Sequence, residues 1–245
     1  MKVSLLVNTL NEELNLEKNI KPLSRIFDEI VVVDMSSDDN SVSVANTFAT
    51  KVISVKRLGY VEPARKCGID ACSNRIVMIL DADEVISDKM KQFIMNVRND
   101  EVNMIGNVFF IPRKNRMIGK DIEYGQFKPD SDKQLRLFDK DCVLITDEIH
   151  KGIIPKNRTN SLEYKNGFFI YHYHSDTAIE FVARLVKYCE FERAKKVGDD
   201  SFVVLSTIKS FVREYFKKQG YRNGRHGFAI AFILSIRTFI NGRQH

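Results

Sequence analysis

The chain has 245 residues, 44% of them hydrophobic, and a formal net charge of +6. That length and apolar content support a core of real size and exclude a disordered chain or a small disulfide-stapled scaffold. The four cysteines, Cys67, Cys72, Cys142 and Cys189, are scattered without CxxC pairing, so they read as buried thiols of a reducing compartment.

Met1-Lys2 leads directly into Val3-Ser4-Leu5-Leu6-Val7, which reads as a first strand rather than a signal peptide, and predicts a cytoplasmic location. Strand-like apolar runs recur at Val3–Val7, Ile30–Val33, Val52–Val55 and Ile76–Leu80. Stretches with helical spacing lie between them at Glu12–Phe27, Ser41–Phe48 and Glu62–Ala71. This alternation predicts a parallel sheet wound with helices. The fourth run stops abruptly at Asp81-Ala82-Asp83-Glu84. Alternation along an extended chain would put Asp81 and Asp83 on one side, at the sheet edge where open α/β folds bind ligands. Two convergent carboxylates suit a hard divalent cation that holds nucleotide phosphates; the alternative is a solvated acidic loop. Ser87 is the expected N-cap of a helix running to about Val97.

Beyond residue 105 the pattern changes. Shorter strands at Val108–Ile111, Gln134–Phe138 and Phe168–His172 predict a mixed, partly antiparallel extension of the same domain. From Thr177 the chain turns helical. Ile208, Phe211, Val212, Tyr215 and Phe216 form an apolar stripe, with Lys209, Arg213, Lys217 and Lys218 off it. The later run Phe228–Ile236 is too short to cross a bilayer, which needs about 20 apolar residues. It either lies in a membrane interface or packs on the main domain. Residues 176–245 carry 13 Lys and Arg against 7 Asp and Glu, which accounts for the whole positive excess. Such a tail suits an anionic surface, or is simply a solvated helix face.

Several segments now combine. Leu6-Val7-Asn8-Thr9-Leu10-Asn11-Glu12-Glu13, Ile30-Val31-Val32-Val33-Asp34-Met35-Ser36-Ser37-Asp38-Asp39 and Leu80-Asp81-Ala82-Asp83-Glu84 follow one another in order. They resemble the T-x-N-E-E, V-V-D-x-x-S-x-D and L-D-A-D-E segments of family 2 glycosyltransferases. Lys133-Gln134-Leu135-Arg136-Leu137-Phe138, Glu148-Ile149-His150-Lys151 and His172-Tyr173-His174-Ser175 look like segments of a bacterial branch that includes transferases of the lipopolysaccharide core. The chain departs from that branch at Lys151, at Ala64-Arg65-Lys66 and at His174, and it has no tryptophan.

The resemblance implies an α/β fold of GT-A type, a nucleotide-sugar-binding catalytic domain over residues 1–175 and a basic amphipathic helical tail over 176–245. It implies a metal-dependent, inverting transfer of a hexose from a nucleotide sugar, commonly a UDP-sugar, to an oligosaccharide or lipid-linked acceptor. Lipopolysaccharide core or surface polysaccharide are examples. Thr9, Asn11 and Glu12 would lie against the nucleoside and Asp34 against the base, although Thr9 as a helix cap and Asp34 as a turn former remain open. Arg65 would meet the diphosphate or hold Asp81 in place. Asp81 would meet the ribose or a metal-bound water. Asp83, with His150 as an extra ligand, would bind Mg²⁺ or Mn²⁺. Glu148 or Asp147 would take the acceptor's proton, with Asp130 and Asp132 as a fallback pair. Arg136 and His172 would reach the diphosphate or the acceptor, while Arg136 pairing with Asp139 is the other option.

The partners implied are a nucleotide-sugar donor, a glycan or glycolipid acceptor and the anionic inner face of the cell membrane, with no nucleic acid. Two rivals stand beside this reading. A nucleotidyltransferase would be expected to carry a glycine-rich phosphate loop, which Asn8-Thr9-Leu10-Asn11-Glu12 is not. A non-enzymatic nucleic-acid binder would work through the basic tail alone.

Overall fold

A computed structural model describes residues 1–57, 60–146, 152–193 and 203–242. Its strands are β1 (Val3–Thr9), β2 (Glu29–Asp34), β3 (Lys51–Ser54), β4 (Ile76–Asp81), β5 (Glu84–Ile86), β6 (Val108–Met117), β7 (Lys120–Asp121), β8 (Lys133–Asp139), β9 (Val143–Ile145), β10 (Ile153–Pro155), β11 (Asn160–Ser161) and β12 (Ile170–Ser175). The helices are α1 (Glu13–Asn15), α2 (Ser41–Ala45), α3 (Glu62–Ala71), α4 (Asp88–Arg98), α5 (Ala178–Arg193), α6 (Val203–Val212) and α7 (Arg225–Gly242).

The main sheet runs β3-β2-β1-β4-β8-β6-β12-β5, with β7 and β11 each pairing to β6. β1 is parallel to β2 and β4, and β2 is parallel to β3. β8 then runs antiparallel to both β4 and β6. A parallel half followed by an antiparallel extension is what the apolar runs predict.

Side-chain alternation feeds two cores. Leu5, Val7, Val32, Met78 and Leu80 meet Leu16, Ile20 and the α4 residues Met90, Ile94 and Val97. Leu6, Val31, Val33, Val77 and Ile79 meet Ala64 and Ile69 of α3 on the opposite face. With both faces covered, a strand must be apolar at every position, hence the unbroken runs. Each fully buried Val, Leu or Ile contributes about 1.5–3 kcal/mol. Gly68 sits where α3 comes closest to the sheet: a Cβ there would lie 2.3 Å from Leu6 Cδ1 and 2.8 Å from Val33 Cγ2.

The helices differ from expectation where local chemistry opposes them. Glu12–Phe27 is not one helix. α1 widens into a π turn over Leu16–Ile20 and tightens to a 3₁₀ turn over Lys21–Arg25. Pro22 is the cause, because it has no N–H to give and crowds the preceding turn. α2 stops at Ala45, where alternating serines and valines support a helix poorly. α4 begins as predicted, with Ser87 Oγ accepting the Met90 N–H.

The chain forms two compact units, Met1–Pro112 with Lys133–Tyr171, and Arg113–Asp132 with His172–His245. In the second unit Met117, Ile122, Phe181, Leu185, Ile230, Ile233 and Leu234 form the core. Its α6 continues into a π turn over Arg213–Lys217. Ser210 and Glu214 are buried, whereas Ile208, Val212 and Phe216 of the expected apolar stripe are exposed.

Two buried carboxylates lock the far end of the sheet in the first unit. Glu29 accepts from the hydroxyls of Ser4 and Ser73 and from the Ser73 N–H. Asp139 is fully buried and accepts from Arg75 Nε at 2.8 Å, Arg75 Nη2 at 2.7 Å and the Gly106 N–H at 2.8 Å. Burial alone would raise both acids, but these donors outweigh it and hold both below the ordinary carboxylate values. A depressed folded-state pKa gives stability that is present above the unfolded value, near 4, and is lost as pH falls through the folded value. Asp139→Ala is therefore expected to cost about 2 kcal/mol at neutral pH, and to flatten the loss of stability below about pH 4. Urea titrations from pH 7 to pH 3 measure both effects.

Candidate active site

The carboxyl ends of β2, β1 and β4 lie side by side in the first unit. Thr9 is in register with Asp34, and Asn8 with Asp81. Two strand spacings separate Asp34 from Asp81, roughly 10 Å. Extended backbone ends at Asp81; Ala82 and Asp83 form a turn before β5 begins at Glu84. The simple alternation expected to carry Asp81 and Asp83 together thus stops one residue too early. Asn19 Nδ2 donates to the Ala82 carbonyl at 3.1 Å and pins the turn.

A charge cluster organises this edge. Arg136 on β8 places Nη2 2.6 Å from Asp81 Oδ2 and 2.8 Å from Glu84 Oε1. Arg65 on α3 reaches Asp81 Oδ1 at 3.4 Å. Glu84 is fully buried, and its other oxygen accepts the Asp81 N–H at 3.0 Å. Arg136 does not pair with Asp139, which is taken by Arg75. Burial opposes the charge of both arginines. For Arg136 the two carboxylates outweigh burial and its pKa is raised. For Arg65 burial wins over Asp81 and the pKa is lowered, although arginine's high ordinary value keeps it charged.

The loops after β1 and β2 are laced together by hydrogen bonds. Asn11, at φ 59°, donates its N–H to Ser37 Oγ at 2.9 Å and accepts the Asp38 N–H at 2.7 Å. The Glu12 N–H donates to Ser41 Oγ at 2.9 Å, and Glu12 Oε2 accepts from Asn15 Nδ2 at 2.6 Å. Asp34 is buried and accepts the Ser37 N–H, which makes it a turn former here. Thr9 makes no helix cap. Its Oγ1 is buried without a hydrogen-bond partner, as are both side-chain polar atoms of Asn8 and the Nε atoms of Arg65 and Arg136.

Asn8 and Glu84 are the residues that sequence reasoning passed over as site members. The signal for Asn8 was a lone amide at the end of an apolar strand. The signal for Glu84 was a third acid directly after the pair.

Asp147, Glu148 and His150 lie outside the described residues. His172, Asp130 and Asp132 belong to the second unit. There His172 Nδ1 lies 2.8 Å from Asn115 Oδ1, and Asn115 Nδ2 donates to Asp132 Oδ2 at 2.7 Å. Asp132 also takes Arg113 Nε at 2.9 Å, so this carboxylate is committed to a network rather than poised as a base. Asp130 is exposed.

Among the described residues, no group of three or more His, Cys, Asp or Glu side chains is arranged to hold a metal ion. Mg²⁺ or Mn²⁺ needs less from a protein when phosphates supply the other oxygens, since one or two carboxylates suffice. Asp83 is buried and Asp81 is half-exposed, so this edge offers at most the one or two carboxylates of that smaller donor set.

Because Arg136 neutralises a fully buried carboxylate, Arg136→Met is expected to destabilise the protein by about 3–5 kcal/mol. Adding Glu84→Gln, which keeps an acceptor for the Asp81 N–H, should recover a large part of that loss. A double-mutant cycle in urea measures the coupling, and simple additivity would contradict it.

Among known proteins, the chain is 26% identical over 254 residues to the uncharacterized glycosyltransferase RT0209 of Rickettsia typhi, covering 98% of this chain and 85% of that protein. It is also 26% identical over 255 residues to RP128 of Rickettsia prowazekii, with the same coverage of both chains. The crystal structure of S. aureus TarS 1-349 in complex with UDP-GlcNAc superposes with a TM-score of 0.51 at 15% identity, covering 100% of this chain and 84% of that one. That likeness speaks to the fold, which is of GT-A type. The model of glycosyl transferase family 2 matches residues 4–169. The chain belongs to that family and is a glycosyltransferase.

Proposed function

We propose that this glycosyltransferase carries out a metal-dependent, inverting transfer of a hexose from a UDP-sugar to an oligosaccharide or lipid-linked acceptor, such as a lipopolysaccharide core or surface polysaccharide. The observation that carries the reading is the set of unsatisfied polar atoms on Asn8 and Thr9 at the carboxyl end of β1, Asn8 in register with Asp81 and Thr9 with Asp34, so that the orphans flank both sides of one strand end. Interiors satisfy their polar groups, and each orphan costs about 1–3 kcal/mol. Orphans gathered at a strand edge are explained by a polar ligand that completes them. A nucleoside has the required donors and acceptors, and a protein of similar fold has been crystallised with UDP-GlcNAc.

In this reading Asp34, Thr9, Asn8, Asn11 and Glu12 shape the nucleoside pocket. Arg136 and Arg65 act on Asp81, fixing its rotamer and leaving it half-exposed toward the ribose. Asp83 would hold Mg²⁺ or Mn²⁺, which when bound neutralises the departing diphosphate. Glu148, or Asp147 beside it, removes the acceptor proton, and His150 assists at the metal. Residues 1–175 form the catalytic domain. The basic 176–245 segment keeps the enzyme at the anionic inner face of the cell membrane, near a glycolipid acceptor.

Asp83→Asn should abolish sugar transfer and metal-dependent UDP uptake without unfolding the protein. A panel of nucleotide sugars with and without Mn²⁺, plus calorimetry with UDP, measures this; full activity in the variant would refute the role. Product NMR should show an inverted anomeric centre. Thr9→Val, which removes an orphan hydroxyl at nearly constant shape, should stabilise the ligand-free protein by about 1 kcal/mol. The same change should weaken UDP binding. An increase in both quantities would remove the argument from Thr9.

A further inference from the structure

In the second unit, α6 and α7 are built inside out on one side. α7 buries Ile230, Ala231, Ile233 and Leu234, yet leaves Phe228, Phe232, Ile236 and Phe239 exposed. These four recur at spacings of four, four and three, so they share one helical face. On α6 and the π turn that continues it over Arg213–Lys217, Val204, Leu205, Ile208, Val212 and Phe216 are exposed, while Ser210 and Glu214 are buried. The two faces join through aromatic rings. Phe228 lies 5.6 Å from Phe211 and 5.8 Å from Tyr215, and stacks on Phe232 at 6.2 Å.

The polar groups one would expect outside are used within. Ser210 Oγ accepts from Thr238 Oγ1 at 3.1 Å, and Glu214 accepts from Lys218 at 2.8 Å and Arg213 at 3.0 Å. The arrangement therefore sacrifices no buried hydrogen bond to keep the apolar face outward. A contiguous apolar face of this kind marks an interaction site.

Charge identifies the occupant. Residues 203–242 contain Lys209, Arg213, Lys217, Lys218, Arg222, Arg225 and Arg237 against the single acid Glu214, which is buried. Lys209 on α6, and Arg213 and Lys217 on the π turn that continues it over Arg213–Lys217, are exposed and stand next in sequence to Ile208, Val212 and Phe216, along one border of the apolar face. Lys128 and Lys217 also line a cavity of about 420 Å³ next to that border. A second copy of the chain would oppose these cations to each other, which costs affinity. Lipid phosphates would neutralise them. No helix among the described residues is long and apolar enough to cross a membrane, so the fitting geometry is a helix pair lying in the interface.

We propose that the α6–α7 pair inserts its Ile208, Val212, Phe216, Phe228 and Phe232 face into the headgroup and acyl boundary of an anionic bilayer, with Lys209, Arg213 and Lys217 at the phosphates. This deepens the membrane-surface reading given above and rests on it, but replaces electrostatic adhesion with insertion. The chain has no tryptophan, so Phe232→Trp gives a unique reporter. With vesicles containing phosphatidylglycerol, its emission should shift to the blue and be quenched by acyl-chain bromines at a shallow depth of about 5–10 Å. Ile208→Ser with Phe228→Ser, both on exposed positions, should reduce partition by about tenfold or more, with an unchanged circular dichroism spectrum. Lys209→Gln, Arg213→Gln and Lys217→Gln together should weaken it on the order of a hundredfold and remove the preference for anionic over zwitterionic vesicles. Binding without bromine quenching would overturn insertion while leaving surface adhesion standing. No vesicle binding would overturn both, with UDP calorimetry reporting independently on the donor site. Dimerisation lost in the serine variant would assign the face to a second copy and also overturn the proposal.

Discussion

A carboxylate with no access to water must be met by a cation, and at the end of β4 that requirement shapes the site. Glu84 is fully buried, so β8 has to deliver Arg136 to it. The same guanidinium then reaches Asp81, and Glu84 turns back to accept the Asp81 N–H. Three strands, β4, β5 and β8, are thus tied at one point by charge rather than by packing. The antiparallel placement of β8 beside β4 is part of this, because it brings a basic residue of an alternating strand to an acidic edge. Such a cluster contributes little net stability compared with apolar packing. Its value lies in position: Asp81 is held in one orientation before any ligand arrives, which is how a protein lowers the ordering cost of binding.

Around this fixed point the strand ends are made of contrasts. The loops carrying Asn11 and Glu12 are fully engaged with Ser37, Asp38 and Ser41, and so form a rigid rim. Beneath the rim, Asn8 and Thr9 are left without partners. Rigid support next to unsatisfied polarity costs stability, and under the proposed function that cost is offset when a nucleoside completes the unpaired groups. Gly68 belongs to the same design, since the close seat of α3 on Leu6 and Val33 sets the height at which Arg65 meets Asp81.

Much of the fold was legible because burial on two faces leaves so little choice. The four leading strands, α3 and the Ser87 cap follow from apolar runs and one hydroxyl. The broken first helix was also readable in principle, since Pro22 stood in the middle of the periodic stretch. The candidate site was legible at Asp81 and Arg136 as residues, but not in their pairing, because strand order decides which side chains meet. Asp83 escaped the alternation argument when the chain turned at Ala82. The apolar stripe of α6 was readable as a stripe but not in its direction: periodicity shows that a helix has two faces, and only tertiary contacts decide which one points inward.

β3 closes one side of the sheet with only four residues, and its two ends, Lys51 and Ser54, are exposed. Lys51 donates to the Ala71 carbonyl at the end of α3 at 2.9 Å, which ties this short strand to the helix beside it. Short, charged borders of this sort are poor templates for strand-to-strand polymerisation. The consequence is colloidal: so short a border gives a neighbouring molecule little backbone to pair with.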